Sequence, residues 1–130
     1  MFFKVPTVNL EFGKVAENTA TKFLKAKGYK ILERNYKNKF GEIDIIALQE
    51  GVICFVEVKA RHSLNLGLPQ EAVTSSKQRQ ISRVAVSYLK SKKLLERPAR
   101  FDVLALLYVG SQPEISLITD AFELNAHFTL

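Results

Sequence analysis

The chain has one cysteine, Cys54, so no disulfide can form within it. The start, MFFKVPTVNLEFGK, has too short an apolar stretch for a signal peptide, and no run is long enough to span a membrane. These absences lead to the expectation of a cytoplasmic protein with no membrane partner, in which Cys54 is a small core residue and not a nucleophile. No repeat, low-complexity tract or linker-like stretch interrupts the 130 residues, which predicts a single domain over 1–130 that buries its core without staples. Basic residues stop at Arg100. Residues 101–130 hold no Lys or Arg against four acids, whereas 1–40 and 61–100 each hold nine, against three and two acids. Aromatic residues are present but form no exposed series: Phe12, Phe23, Phe55, Phe101 and Tyr88 fall at core positions, which argues against a platform stacking single-stranded bases. His62 and His127 have no partner at metal-ligand spacing and are given no role.

One stretch breaks the ordinary pattern, Gly41 to Arg61, GEIDIIALQEGVICFVEVKAR. Two apolar runs, Ile43 to Leu48 and Val52 to Lys59, predict a β-hairpin closed by Glu50-Gly51. That turn pairs Gln49 with Val52, and the continued register sets Asp44 opposite Glu57 and Glu42 opposite Lys59. Ile43, Ile45 and Ala47 then share one face with Val52, Cys54, Val56 and Val58. Ile46, Leu48, Ile53 and Phe55 occupy the other, with the charged residues at its far end. Directly opposed carboxylates repel by roughly 3 kcal/mol at an effective dielectric near 20. Three carboxylates, Glu42, Asp44 and Glu57, face one ammonium, Lys59, so a divalent cation held by oxygen ligands is expected to balance them. The plainer alternative is a set of ion pairs that solvates the end of a sheet.

Elsewhere the periodicity predicts a helix from Leu10 to Lys27, with Glu17 at the margin of its apolar stripe and Gly28 as its stop. Tyr29 to Arg34 reads as a strand, NYKNKFG as a polar loop, and HSLNLGLPQEAVT as a loop rich in turn residues. A capping box at Ser75-x-x-Gln78 opens a second helix whose core face is Ile81, Val84, Ala85, Tyr88 and Leu89, leaving Lys77, Arg79, Arg83 and Lys90 off that face. ARFDVLALLYV is a buried strand, in which Asp102 is read as the partner of Arg100 or a neighbouring Arg, and PEISLITD is a more polar strand near an edge. The order α-β-β-β-α-β-β implies an α/β sandwich around a mixed sheet.

Glu17 on a helix, Asp44 on one strand and Glu57-Val58-Lys59 on the next closely resemble the PD-(D/E)XK, or restriction-endonuclease-like, superfamily. More specifically the chain is similar to the YraN family of small bacterial proteins, related in fold to Holliday-junction resolvases. The segments that carry this over about 11–122 are GKVAENTATKFLKAKGY, ILERNYKNKFGEIDIIA, FVEVKAR, EAVTSSKQRQI and RFDVLAL, in that order. Gln80 is followed four residues later by Val84, so the Gln-x-x-x-Tyr element of some exonuclease branches is missing, which favours the resolvase-like branch.

The resemblance implies a three-layer sandwich and a metal-dependent nuclease acting on DNA, branched or structured, in repair or recombination. Asp44, Glu57 and the Val58 carbonyl are expected to hold Mg²⁺ or Mn²⁺. Lys59 would be the catalytic lysine, stabilising charge on phosphate in preference to the alternative of helping to deprotonate the water, and Glu17 would orient water or complete a second metal site. Arg34, Arg61 and Lys77 are candidate contacts to the nucleic-acid backbone, Lys77 aided by its helix N-terminus, with pairing to the strand-end carboxylates the alternative for the two arginines. A homodimer would suit cleavage of two symmetric strands. Two rivals belong to other classes: a non-catalytic nucleic-acid-binding module with a vestigial site, and an interaction protein whose acidic centre is structural.

Overall fold

A computed structural model describes residues 5–62 and 73–123. Its elements are α1 (Val5–Ala26), β1 (Lys30–Asn38), β2 (Gly41–Gln49), β3 (Val52–Arg61), α2 (Ser75–Ser91), β4 (Ala99–Val109) and β5 (Gln112–Phe122). The strands form one five-stranded sheet in the order β1-β2-β3-β4-β5. Only β3 and β4 run parallel, because the connection between them crosses over through α2. The helices cover opposite faces. Ala20 and Leu24 of α1 pack with Ile45, Cys54, Val56 and Leu104, while Ile81, Val84, Ala85 and Tyr88 of α2 pack with Ile43, Ile46, Phe55 and Phe101. The chain thus has the expected α/β order and a mixed sheet between helices.

The second helix shows the periodicity at work, since all five of its expected core residues are buried. Its cap lies one residue earlier than expected. Thr74, not Ser75, is the N-cap, and its hydroxyl accepts the Lys77 N–H at 3.2 Å; the Gln78 amide turns back to donate to the Val73 carbonyl at 2.9 Å. Thr74→Ala should therefore lower the stability read from urea unfolding by about 1 kcal/mol with an unchanged m-value.

Two other boundaries differ from expectation. α1 begins at Val5 and not Leu10, with Pro6 in its first turn, where a missing N–H costs no helical hydrogen bond. β1 runs through most of the stretch expected as loop and pairs with β2 as far as Asn38↔Gly41. Its second half is polar because Arg34, Asn35 and Lys37 are exposed, while Tyr36 turns inward and meets the Tyr88 ring edge-on at 5.1 Å. Most of the expected loop HSLNLGLPQEAVT lies outside the described residues.

Asp102 is 1% exposed and fully partnered. Arg100 Nε donates to both its oxygens at 3.0 and 3.1 Å, and the Asp120 N–H adds a third bond at 2.9 Å. Cys54 is buried beside this pair, and burial pushes its thiol up to about 11, so it remains a neutral thiol at physiological pH.

Candidate metal and nucleic-acid site

The hairpin turn has the conformation its sequence requires. Glu50 and Gly51 both take positive φ, 49° and 82°, and the ladder runs from Gln49↔Val52 to Ile45↔Val56. It ends there, one position before Asp44 would face Glu57. Instead the Val58 N–H donates to Asp44 Oδ2 at 2.8 Å. In a strand the N–H and C=O of one residue point to the same side, so the Val58 carbonyl also opens toward β2 and Asp44.

The opposite ladder is interrupted at the same place. β1 pairs with β2 at Arg34↔Ile45 and Tyr36↔Ile43 but passes over Asn35 and Asp44, and Asn35 has φ 52°, the left-handed region. This local break corrects the expected faces. Ile43 lies in the α2 cluster and Ile45 in the α1 cluster, where an unbroken strand would set both on one side. Gly41, at the start of β2, has φ 144°, and a Cβ there would lie 2.8 Å from the Gln80 amide, so α2 sits close over this end of the hairpin.

Asp44 is partly buried, and its carboxyl is pushed up to about 7. Burial is the largest cause and the charge of Glu57 the next, with a smaller contribution from Glu17; the Val58 N–H and Lys77 oppose them. The other three acids of the cluster have cations close by. Glu57, 7% exposed, has Lys59 Nζ at 3.6 Å and Lys77 Nζ at 3.7 Å from the same oxygen, Oε2. Glu42 pairs with Lys37 at 3.8 Å on the surface, and Glu17 pairs with Arg34 at 3.3 Å. The expected excess of three carboxylates over one ammonium is therefore corrected. Lys37 and Lys77 come from elements outside the β2–β3 hairpin, and Asp44 alone of these four acids has no ion pair among the described residues.

Glu17 is held by two donors on one oxygen. Asn35 Nδ2 reaches Oε1 at 2.8 Å and Arg34 Nη2 reaches it at 3.3 Å, while the same Arg34 nitrogen donates to Asn18 Oδ1 at 2.7 Å. Asn35 went unnoticed in the sequence. Its signal was an asparagine, the non-glycine type that best tolerates positive φ, within a polar stretch just before the acidic strand. Arg61 ends β3, two positions beyond Lys59.

Glu17, Asn35, Glu42, Asp44, Val58 and Lys59 line one open cleft of about 700 Å³, to which Phe12 and Lys14 of α1 also contribute. Phe12 stacks on His62, ring centroids 4.5 Å apart. Lys37, Asn38, Glu42, Lys77 and Gln80 line a smaller groove of about 330 Å³ on the α2 side. Glu42 borders both. Among the described residues no three His, Cys, Asp or Glu side chains gather as a metal cluster. The oxygens that could hold a cation are the carboxylates of Asp44 and Glu57, whose charges act on one another, and the Val58 carbonyl. That set suits Mg²⁺, which uses one or two protein carboxylates and keeps waters for its remaining positions. It does not suit a structural zinc site.

Residues 16–106 match the model described as "Uncharacterised protein family UPF0102". A UPF0102 protein of Syntrophus aciditrophicus is 49% identical over 124 residues, covering 95% of this chain and 97% of the relative. Others from Trichlorobacter lovleyi and Geobacter metallireducens are 50% and 47% identical over 118 and 116 residues, each covering 89% of this chain, and 93% and 95% of the relatives. A match across most of both chains, together with the family model, means that this chain belongs to the UPF0102 family.

Proposed function

We propose that this protein is a Mg²⁺- or Mn²⁺-dependent nuclease of the PD-(D/E)XK type that hydrolyses phosphodiester bonds in DNA, resolvase-like in its preference for branched or structured substrates. The observation that carries this reading is Asp44: an acid without an ion pair among the described residues, set where both β2 ladders are interrupted, raised by burial and by Glu57, and lining an open cleft beside Lys59. Asp44, Glu57 and the Val58 carbonyl would hold the cation. A bound Mg²⁺ supplies a Lewis acid to the scissile phosphate and lowers the pKa of a water.

The chain's own groups do the remaining work. Lys59, on the cleft with Asp44, stabilises the negative charge that grows on phosphate. Glu17, fixed by Asn35 and Arg34, orients the attacking water. The Val58 N–H holds Asp44 in place. Lys14 on the cleft and Lys37 and Lys77 on the groove flank the acidic centre and receive neighbouring phosphates.

A second reading is favoured by one feature, the two ammonium groups already beside Glu57. Under it the protein binds DNA without cutting. Incubating the protein with labelled branched, duplex and single-stranded DNA in Mg²⁺, Mn²⁺ or EDTA separates the two. Cleavage of branched DNA that EDTA abolishes is the expected result, with binding that weakens steeply as salt rises because counterions are released. Metal-independent binding without cleavage supports the second reading, and no binding at low salt overturns both.

A further inference from the structure

Lys77 stands between two places. Its ammonium lies 3.7 Å from Glu57 Oε2, yet the residue also lines the groove formed with Lys37, Asn38 and Gln80. Its main-chain N–H is anchored on the Thr74 hydroxyl, so the Cα is fixed while the flexible four-carbon stem is free to swing. Lys59 differs, since it is tied to β3 two positions from Glu57 and lines the larger cleft. A divalent cation on Glu57 would lie against both ammonium groups, with twice the repulsion a single charge would exert. Lys77 has an adjoining groove to enter.

We propose that Lys77 is an exchange latch, paired with Glu57 when the cation is absent and displaced by it into the groove, where it takes a nucleic-acid phosphate, so that divalent cation and nucleic acid bind cooperatively. This rests on the reading of Asp44 and Glu57 as a cation site. Each ligand then strengthens the other by the same factor, because each removes a competitor for the other's partner: the cation frees Lys77 for phosphate, and phosphate draws Lys77 from Glu57.

The test needs no turnover. Mn²⁺ binding to the full chain is measured with and without a cleavage-resistant phosphorothioate duplex, after subtraction of Mn²⁺ bound by the duplex alone. The parent should bind Mn²⁺ about tenfold more tightly when DNA is present, and DNA about tenfold more tightly when Mn²⁺ is present. Lys77→Met should bind Mn²⁺ without DNA more tightly than the parent does, and should lose the share of the coupling that Lys77 carries, keeping only what direct contact between phosphate and cation supplies; Lys77→Arg should keep it all. Equal Mn²⁺ affinity of the parent in both arms, or full coupling in Lys77→Met, overturns the latch alone. A parent that binds no Mn²⁺ in either arm overturns the cation site, and the latch with it.

Discussion

Asp44→Asn is expected to abolish metal-dependent cleavage and, in EDTA at neutral pH, to give a protein more stable than its parent. The first effect follows from the loss of a ligand charge. The second follows from the sign of the proton linkage. The Asp44 carboxyl is raised in the folded protein, from an ordinary value of 3.8 to about 7, so between about pH 4 and pH 7 the folded state binds more protons than the unfolded one. Stability must then fall as pH rises through that window. At pH 8 the parent carries the whole penalty, on the order of 4 kcal/mol for a shift of this size. Asparagine keeps the amide oxygen that accepts the Val58 N–H and carries no charge beside Glu57. Thermal melts in EDTA at pH 5 and pH 8 should show a drop for the parent that the variant lacks. Mg²⁺ at pH 8 should raise the melting temperature of the parent alone, by mass action on a folded-state site. A variant less stable than the parent at pH 8, with no Mg²⁺ effect on either, would reduce Asp44 to a structural acceptor for one backbone amide.

Much of this arrangement was legible before the structure, and the limits have identifiable causes. The α2 core face and the Glu50-Gly51 turn were readable because each depends on a local period or on a pair of positive-φ positions. The register of the first five hairpin pairs follows from that turn. The second half of β1 was not readable, since a polar run becomes a strand only by pairing with β2. Nor was the side taken by Ile43, because a period of two presumes an unbroken strand, and the break at Asn35 and Asp44 is a property of both strands together. Lys77 was assigned to phosphate on its place at a helix start. Its approach to Glu57, 20 residues earlier in the chain, depends on how α2 packs over β2, with Gly41 allowing the Gln80 side chain to lie close. Charge counting along the hairpin failed for the same reason. The balancing cations arrive from elements that the hairpin sequence does not contain.

Lys77 also sharpens what Lys59→Ala should do. If Glu57 had only Lys59 as its counter-charge, removing that lysine would strand a buried carboxylate and destabilise the fold by about 3–5 kcal/mol. With Lys77 Nζ at 3.7 Å from the same oxygen, Glu57 stays paired. Lys59 itself is partly exposed, so its ion pair is worth about 1 kcal/mol or less. Stability should therefore barely move, and DNA binding should fall only by the share of one charge among several flanking lysines. Cleavage should fall much further, by about 10²–10³, the usual effect of removing one donor aimed at charge that develops in the transition state. The comparison is made at saturating DNA and Mg²⁺, so that the loss is read in kcat and not in KM. Asp44→Asn controls for loss of the metal site, and a melt of Lys59→Ala controls for folding. A variant that cuts at the parental rate removes Lys59 from the chemistry. One whose lost cleavage tracks a lowered melting temperature would make Lys59 a structural partner of Glu57, and Lys77 too distant to replace it.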